Sequence, residues 1–201
     1  TASALVAACQ AAGVPRIIAL GICGTSLSSS NACFRSRAAA EQVMCEGIPT
    51  TTILRVPMVL GEGDYASRAL LKKSSRAFSL CFRSASLEQP VYAGDVIAAL
   101  SRLLDVEAPG VLELAGPESL SRSSLIQRTA AVSRQGTVAV ISIPLAVGLL
   151  MAYVLETLVS NPPVTRDMLG VLDHDDQTES DTAERLGISL TPLDKMLSLV
   201  G

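Results

Sequence analysis

The chain has 201 residues, 49% of them apolar and 17% charged, a balance that supports one packed core and leaves little room for extended disorder. Its 16 basic and 19 acidic residues give a net charge of −3 without any basic run, and aromatics make up 3% with no Trp. Both the electrostatic and the stacking requirements of nucleic-acid binding are therefore unmet.

Leu5, Val6 and Cys9 fall on one helical face, and Gly13 is placed to stop that helix. This helical pattern is already under way at Thr1, so the chain reads as one cut inside a domain, with no signal peptide. Arg16 to Leu20 is an apolar run bounded by Gly13 and Gly21, as in a buried parallel strand. Gly21 to Asn31 is a Ser-rich loop, and a helix is predicted from about Ala32 to Gly47. Pro49 to Val56 is β-branched and strand-like. This alternation predicts an α/β fold with a doubly wound parallel sheet.

Further on, Asp95 is positioned to cap a helix over Val96 to Leu104, and Val111 to Ala115 reads as a strand ended by Gly116 and Pro117. Ser121 is placed to cap the next helix, and Val138 to Ile141 is a further strand candidate. Pro144 suits the first position of a helix running Leu145 to Leu158 that is apolar almost all round. Pro144 and Glu156 leave fewer clean residues than the ~20 a membrane span needs, so a buried or partner-covered helix is expected, or one touching a membrane surface. In the tail, Asn161, Pro162 and Pro163 predict a turn and Thr165 a cap. Asp181 with Glu184 predicts a capping box, and Thr191 with Pro192 the start of a helix burying Leu193, Met196, Leu197 and Val200.

The five cysteines, Cys9, Cys23, Cys33, Cys45 and Cys81, are odd in number and form no CxxC pair. They argue against a disulfide framework or zinc site and for a reducing, intracellular compartment, cytoplasm or organelle matrix. His174 is the one histidine, and no metal site is expected. Ligands of open parallel sheets sit beyond the strands' carboxyl ends, which points to the loop from Gly21 to Ser30; a solvated flexible loop is the plainer reading. Cys33 and Arg37 lie one helical turn apart, so Arg37 either contacts ribose or phosphate or solvates an exposed face. After Arg55 and Val56, Pro57 and two glycines force an irregular loop, but Gly61-Glu62-Gly63 is not a GxGxxG fingerprint.

Ala11 to Ile18, Phe34 to Glu41, Ile53 to Asp64, Gln89 to Val96 and Leu114 to Glu118 occur in an order that resembles the later part of atypical and extended short-chain dehydrogenase/reductases. The nearest subgroup resembles the nucleotide-binding accessory subunit of respiratory complex I and its bacterial relatives. The resemblance implies the C-terminal part of a Rossmann-like sheet over residues 1–118, a mostly helical lobe over 119–201, and NAD or NADP as cofactor. The family's glycine-rich turn is absent from this chain. An open apolar edge is therefore expected on Arg16 to Leu20. The family's strand-end Ser falls on Gly21 or Ile22, its catalytic Tyr on Cys33 and its Lys on Arg37, so no catalytic residue is assigned and weak or silent chemistry is expected. The resemblance places Gly21, Arg37, Arg55 and Pro57 at the dinucleotide. It implies an accessory role beside a quinone-linked complex, with the helix Leu145 to Leu158 as the contact with a protein or a membrane surface. The rival is an active reductase, epimerase or dehydratase using a residue such as Cys33, and a third reading is a fragment with no activity of its own.

Overall fold

The β-branched run that ends at Val56 becomes the centre of a three-stranded parallel sheet. The computed structural model describes residues 1–134, 136–159 and 165–201. Along the chain these form α1 (Ala2–Ala11), β1 (Ile18–Ile22), α2 (Ala32–Gly47), β2 (Thr52–Val56), β3 (Val59–Leu60), α3 (Tyr65–Ser74), β4 (Phe78–Phe82), β5 (Leu87–Glu88) and β6 (Val91–Tyr92). Then come α4 (Ala93–Asp105), β7 (Gly110–Glu113), β8 (Leu120–Ser121), α5 (Arg122–Arg134), β9 (Ala139–Ile143), α6 (Leu145–Leu158) and α7 (Arg166–Gly170). A 3-10 turn (Val171–Asp173), α8 (Thr182–Arg185) and α9 (Leu193–Val200) complete the described elements.

The sheet order is β1-β2-β7, with Leu20 beside Leu54 and Leu54 beside Leu112. Successive side chains of β2 point to opposite faces. Leu54 and Val56 pack on Val96, Ala99 and Leu103 of α4, whereas Arg55 reaches Glu41 of α2 on the other side. Helices on both faces of a parallel sheet make the doubly wound arrangement that the alternating pattern predicts. β1 is an edge strand and Leu20 is 53% exposed, in line with the open edge expected there.

A second core joins Leu60, Leu70, Leu125, Ile126, Met196 and Leu197, drawing α3, α5 and α9 together. The remaining strands are pairs: β3 with β6 and β4 with β9 are parallel, β5 with β8 antiparallel. Gly116 follows β7 where a Cβ would collide with the Pro90 carbonyl. Gln89 clamps this crossing, its amide nitrogen donating to the Gly116 carbonyl at 2.8 Å.

Several local expectations hold. Gly13 has φ +66°, and the Val14 N–H donates to the Cys9 carbonyl, a left-handed stop to α1. The Ser124 N–H donates to the Ser121 hydroxyl at 3.1 Å, so Ser121 does cap α5. Others are corrected. Asp95 lies inside the first turn of α4 and accepts from the Thr191 N–H and hydroxyl at 2.7 and 2.8 Å, tying α4 to the start of α9. Asp181 precedes α8 without a side-chain capping bond, its φ of −90° and ψ of 5° lying outside the extended conformation a capping residue adopts. Pro144 sits one residue before the first turn of α6. The expected turn at Asn161, Pro162 and Pro163 lies outside the described residues.

On α6, Gly148 and Ala152 are buried, with Gly148 against Phe82 and Leu169, while Val147, Leu150, Met151, Tyr153 and Leu158 are exposed. The buried alternative for this helix therefore holds for one narrow stripe only. Leu150→Glu is expected to leave stability within about 0.5 kcal/mol, as for other surface changes. Ala152→Glu should cost several times more by burying a charge. Urea denaturation of the two variants separates the faces.

Candidate functional site

The carboxyl edge of the three-stranded sheet gathers three of the four residues singled out in the sequence. Gly21 and Arg55 are register partners on β1 and β2, and Pro57 follows β2 directly. The Arg55 guanidinium donates from Nε at 3.0 Å and Nη2 at 2.6 Å to one carboxylate oxygen of Glu41, and its Nη1 lies 4.0 Å from Glu113. The Glu41 side chain is only 8% exposed, and its Oε1 has no hydrogen-bond partner among the described residues. A Cβ on Gly21 would stand 2.5 Å from that oxygen and 2.9 Å from Arg55 Cγ. Glycine here gives clearance to a buried ion pair.

Arg37 is apart from this group. It is exposed on α2, one turn before Glu41, and no ion pair or hydrogen bond holds it among the described residues. Arg55 is thus occupied with protein carboxylates, and Arg37 is the cation open to an outside anion.

The loop after β1 is more tightly tied than a solvated flexible loop. The Cys23 N–H donates to the Val56 carbonyl at 3.2 Å, and the Thr25 hydroxyl donates to Ile22 at 2.6 Å. Arg35 donates to the carbonyls of Ser29 and Ser30 at 2.7 and 2.5 Å. Asn31 caps α2, accepting from the N–H groups of Cys33 and Phe34 at 2.8 and 3.3 Å. Cys33 therefore sits in a capped first turn, half-buried. All five cysteines are free. Burial, aided by Glu113 and Asp176, pushes the neighbouring Cys23 thiol up to about 12, so it stays protonated at neutral pH.

A residue that the sequence does not place here is His174. Its ring lies against Gly24, where φ is +78° and an added Cβ would strike Nε2, and meets Phe34 edge-on at 5.6 Å and 71°. The segment carrying it is anchored at both sides. Asp175 accepts from the Ser86 hydroxyl at 2.6 Å and the Leu87 N–H at 3.2 Å. The Thr178 N–H donates to Gln89 at 3.0 Å, and its hydroxyl donates to Glu113. Burial pushes the Asp176 carboxyl above the usual carboxylate range, with His174 pulling the other way. An imidazole thus stands over the strand-end loop, against Gly24 and Phe34. Its distance of 150 residues from Gly24 hides it from any local pattern.

No family model matches the chain. Over 120 residues it is 28% identical to the mitochondrial NADH dehydrogenase [ubiquinone] 1 alpha subcomplex subunit 9 of Arabidopsis thaliana, covering 57% of this chain and 30% of that protein. The chain therefore spans under a third of that relative's length. Among solved structures, the triphenylmethane reductase of Citrobacter sp. superposes with a TM-score of 0.75 at 18% identity, over 98% of this chain and 69% of that one. A nucleoside-diphosphate-sugar epimerase from Staphylococcus aureus gives 0.74 at 14% identity over the same shares. The NAD-dependent NDP-hexosamine 5,6-dehydratase of tunicamycin biosynthesis gives 0.68 at 18% identity, over 99% and 66%. At these identities the likeness establishes the fold, a Rossmann-like sheet, as the sequence resemblance implies.

The ion pair has a measurable weight. Glu41→Ala should lower stability by about 3 kcal/mol, because it strands the Arg55 charge. Gly21→Ala should also destabilise, by crowding Glu41. The double variant should lose less than the sum of the two, since both act on one contact. A urea double-mutant cycle reads that shortfall, and strict additivity would separate Gly21 from the pair.

Proposed function

We propose that this chain, whose fold is that of the NAD(P)-binding short-chain dehydrogenase/reductase superfamily, belongs to a dinucleotide-binding protein of the atypical type, catalytically weak or silent and accessory to a quinone-linked complex. The observation that carries the reading is the exposed, uncommitted Arg37 at the position where the resemblance puts the family's lysine. An Arg keeps the positive charge that draws ribose hydroxyls or phosphate, yet does not deprotonate to relay a proton. Cys33, in place of the family's Tyr, removes the other half of the usual acid–base pair.

NAD or NADP is the proposed cofactor, with Gly21, Arg55 and Pro57 forming the rigid wall beside its nicotinamide end and Arg37 the charged contact. The accessory role draws on the subunit relative from Arabidopsis and on the exposed side chains of α6, proposed as the contact with a partner protein. Among the described residues no helix is long and apolar enough to cross a membrane. Titrating NADH and NADPH fluorescence against the full-length protein tests the cofactor. Saturable binding is expected, weakened about tenfold by Arg37→Ala, and an Arg37→Ala variant that binds as tightly as the parent would remove Arg37 from the site.

A second reading, an active reductase, epimerase or dehydratase, is favoured by His174 over Gly24 and beside Phe34. It supplies the proton-transfer group that Arg37 lacks. On this reading His174→Asn and Cys33→Ser each abolish NAD(P)H-dependent turnover in a substrate screen. Turnover unchanged in both variants eliminates it.

A further inference from the structure

Beside the segment that follows β2, α3, β4 and α5 line an open cavity of about 320 Å³, near the lower end of the range for small-molecule sites. Met58, Ala69, Leu70, Leu125, Ile126 and Leu172 line it with hydrocarbon. The charged residues on its wall are Lys73, Glu88 and Arg122, and two of these neutralise each other. Arg122 Nε and Nη2 both lie 2.5 Å from one Glu88 oxygen, and Nη1 donates to the Phe82 carbonyl at 2.9 Å. The Glu88 side chain is 3% exposed, so this pair belongs to the protein's interior.

Lys73 differs. It is exposed, lines the cavity at its rim, and has no hydrogen bond or ion pair among the described residues. It also lines an adjoining cavity of about 310 Å³ with Lys72, so Lys73 is the free charge at the mouth of the apolar cavity. Apart from the exposed phenol of Tyr65, the wall has little uncommitted polar chemistry for a base, ribose or sugar ring. A hydrocarbon interior with positive charge at the mouth matches an amphiphile with one anionic end.

We infer that this cavity binds a fatty-acyl anion of medium length, with its chain between α3 and α5 and its carboxylate at Lys73. The cavity adjoins the dinucleotide site through Met58, the neighbour of Pro57, but its charged end is Lys73 on α3, which the dinucleotide reading does not use.

Isothermal titration of the full-length protein with decanoate, in the absence of any dinucleotide, tests this, with decanol and UDP-glucose as comparators. Saturable one-to-one decanoate binding is expected. Lys73→Glu should weaken it about tenfold and leave decanol unaffected, and Ala69→Trp should abolish binding of both by filling the space. Where Ala69→Trp loses its helical circular dichroism, Ala66→Trp on the same wall replaces it. Absence of decanoate saturation overturns the proposal. So does full affinity in Lys73→Glu or in a folded Trp variant, or displacement of decanoate by UDP-glucose. A failure in NADH fluorescence leaves this calorimetric result untouched, so the two ideas fail separately.

Discussion

The pairing of Arg55 with Glu41 governs how the first half of the molecule is put together. It joins the central strand β2 to α2 across the face opposite α4, and it does so with one carboxylate oxygen almost wholly out of water. An isolated buried charge costs several kcal/mol, so each partner enforces the position of the other. Gly21 is the geometric condition for the arrangement, since no other residue leaves room on the neighbouring strand. The same pairing decides the chemistry at the edge: it takes one arginine out of play and leaves Arg37, a turn away, as the cation facing outward.

Much of the architecture was legible because it is written in local periodicity. The helix Ala32 to Gly47, the strand ending at Val56, the helix Leu145 to Leu158 and the inward residues of the last helix each carry a pattern contained in fewer than twenty residues. The stretch from Tyr65 to Tyr92 was not legible. Its helix α3 is polar on most of its surface, and β5 and β6 are two-residue strands defined by partners outside the stretch. Ser121 caps as its residue type suggests, but two other cap readings fail for a related reason. Asp95 and Asp181 have the residue type of caps, but Asp95 bonds to Thr191, nearly a hundred positions later, and the backbone at Asp181 is not in a capping conformation.

The candidate site was read only in outline. Proximity of Gly21, Arg55 and Pro57 follows from parallel strands meeting at one edge, so a sheet argument finds it. Neither Glu41 as the owner of Arg55 nor His174 over Gly24 follows from spacing, because each depends on how a later element is laid across an earlier one. The family resemblance marks the positions of Cys33 and Arg37, but only the packing distinguishes an exposed cation from an internally paired one.

The crossing at Gly116 has a mechanical meaning. Backbone lies against backbone there, and Gln89 grips both sides while also accepting from the Thr178 amide. Such a point neither slides nor swivels without breaking several bonds at once. The carboxyl edge of the sheet and the segment that carries His174 are consequently welded into one frame. Should the protein close around a ligand, the hinge has to be found in another joint of the chain.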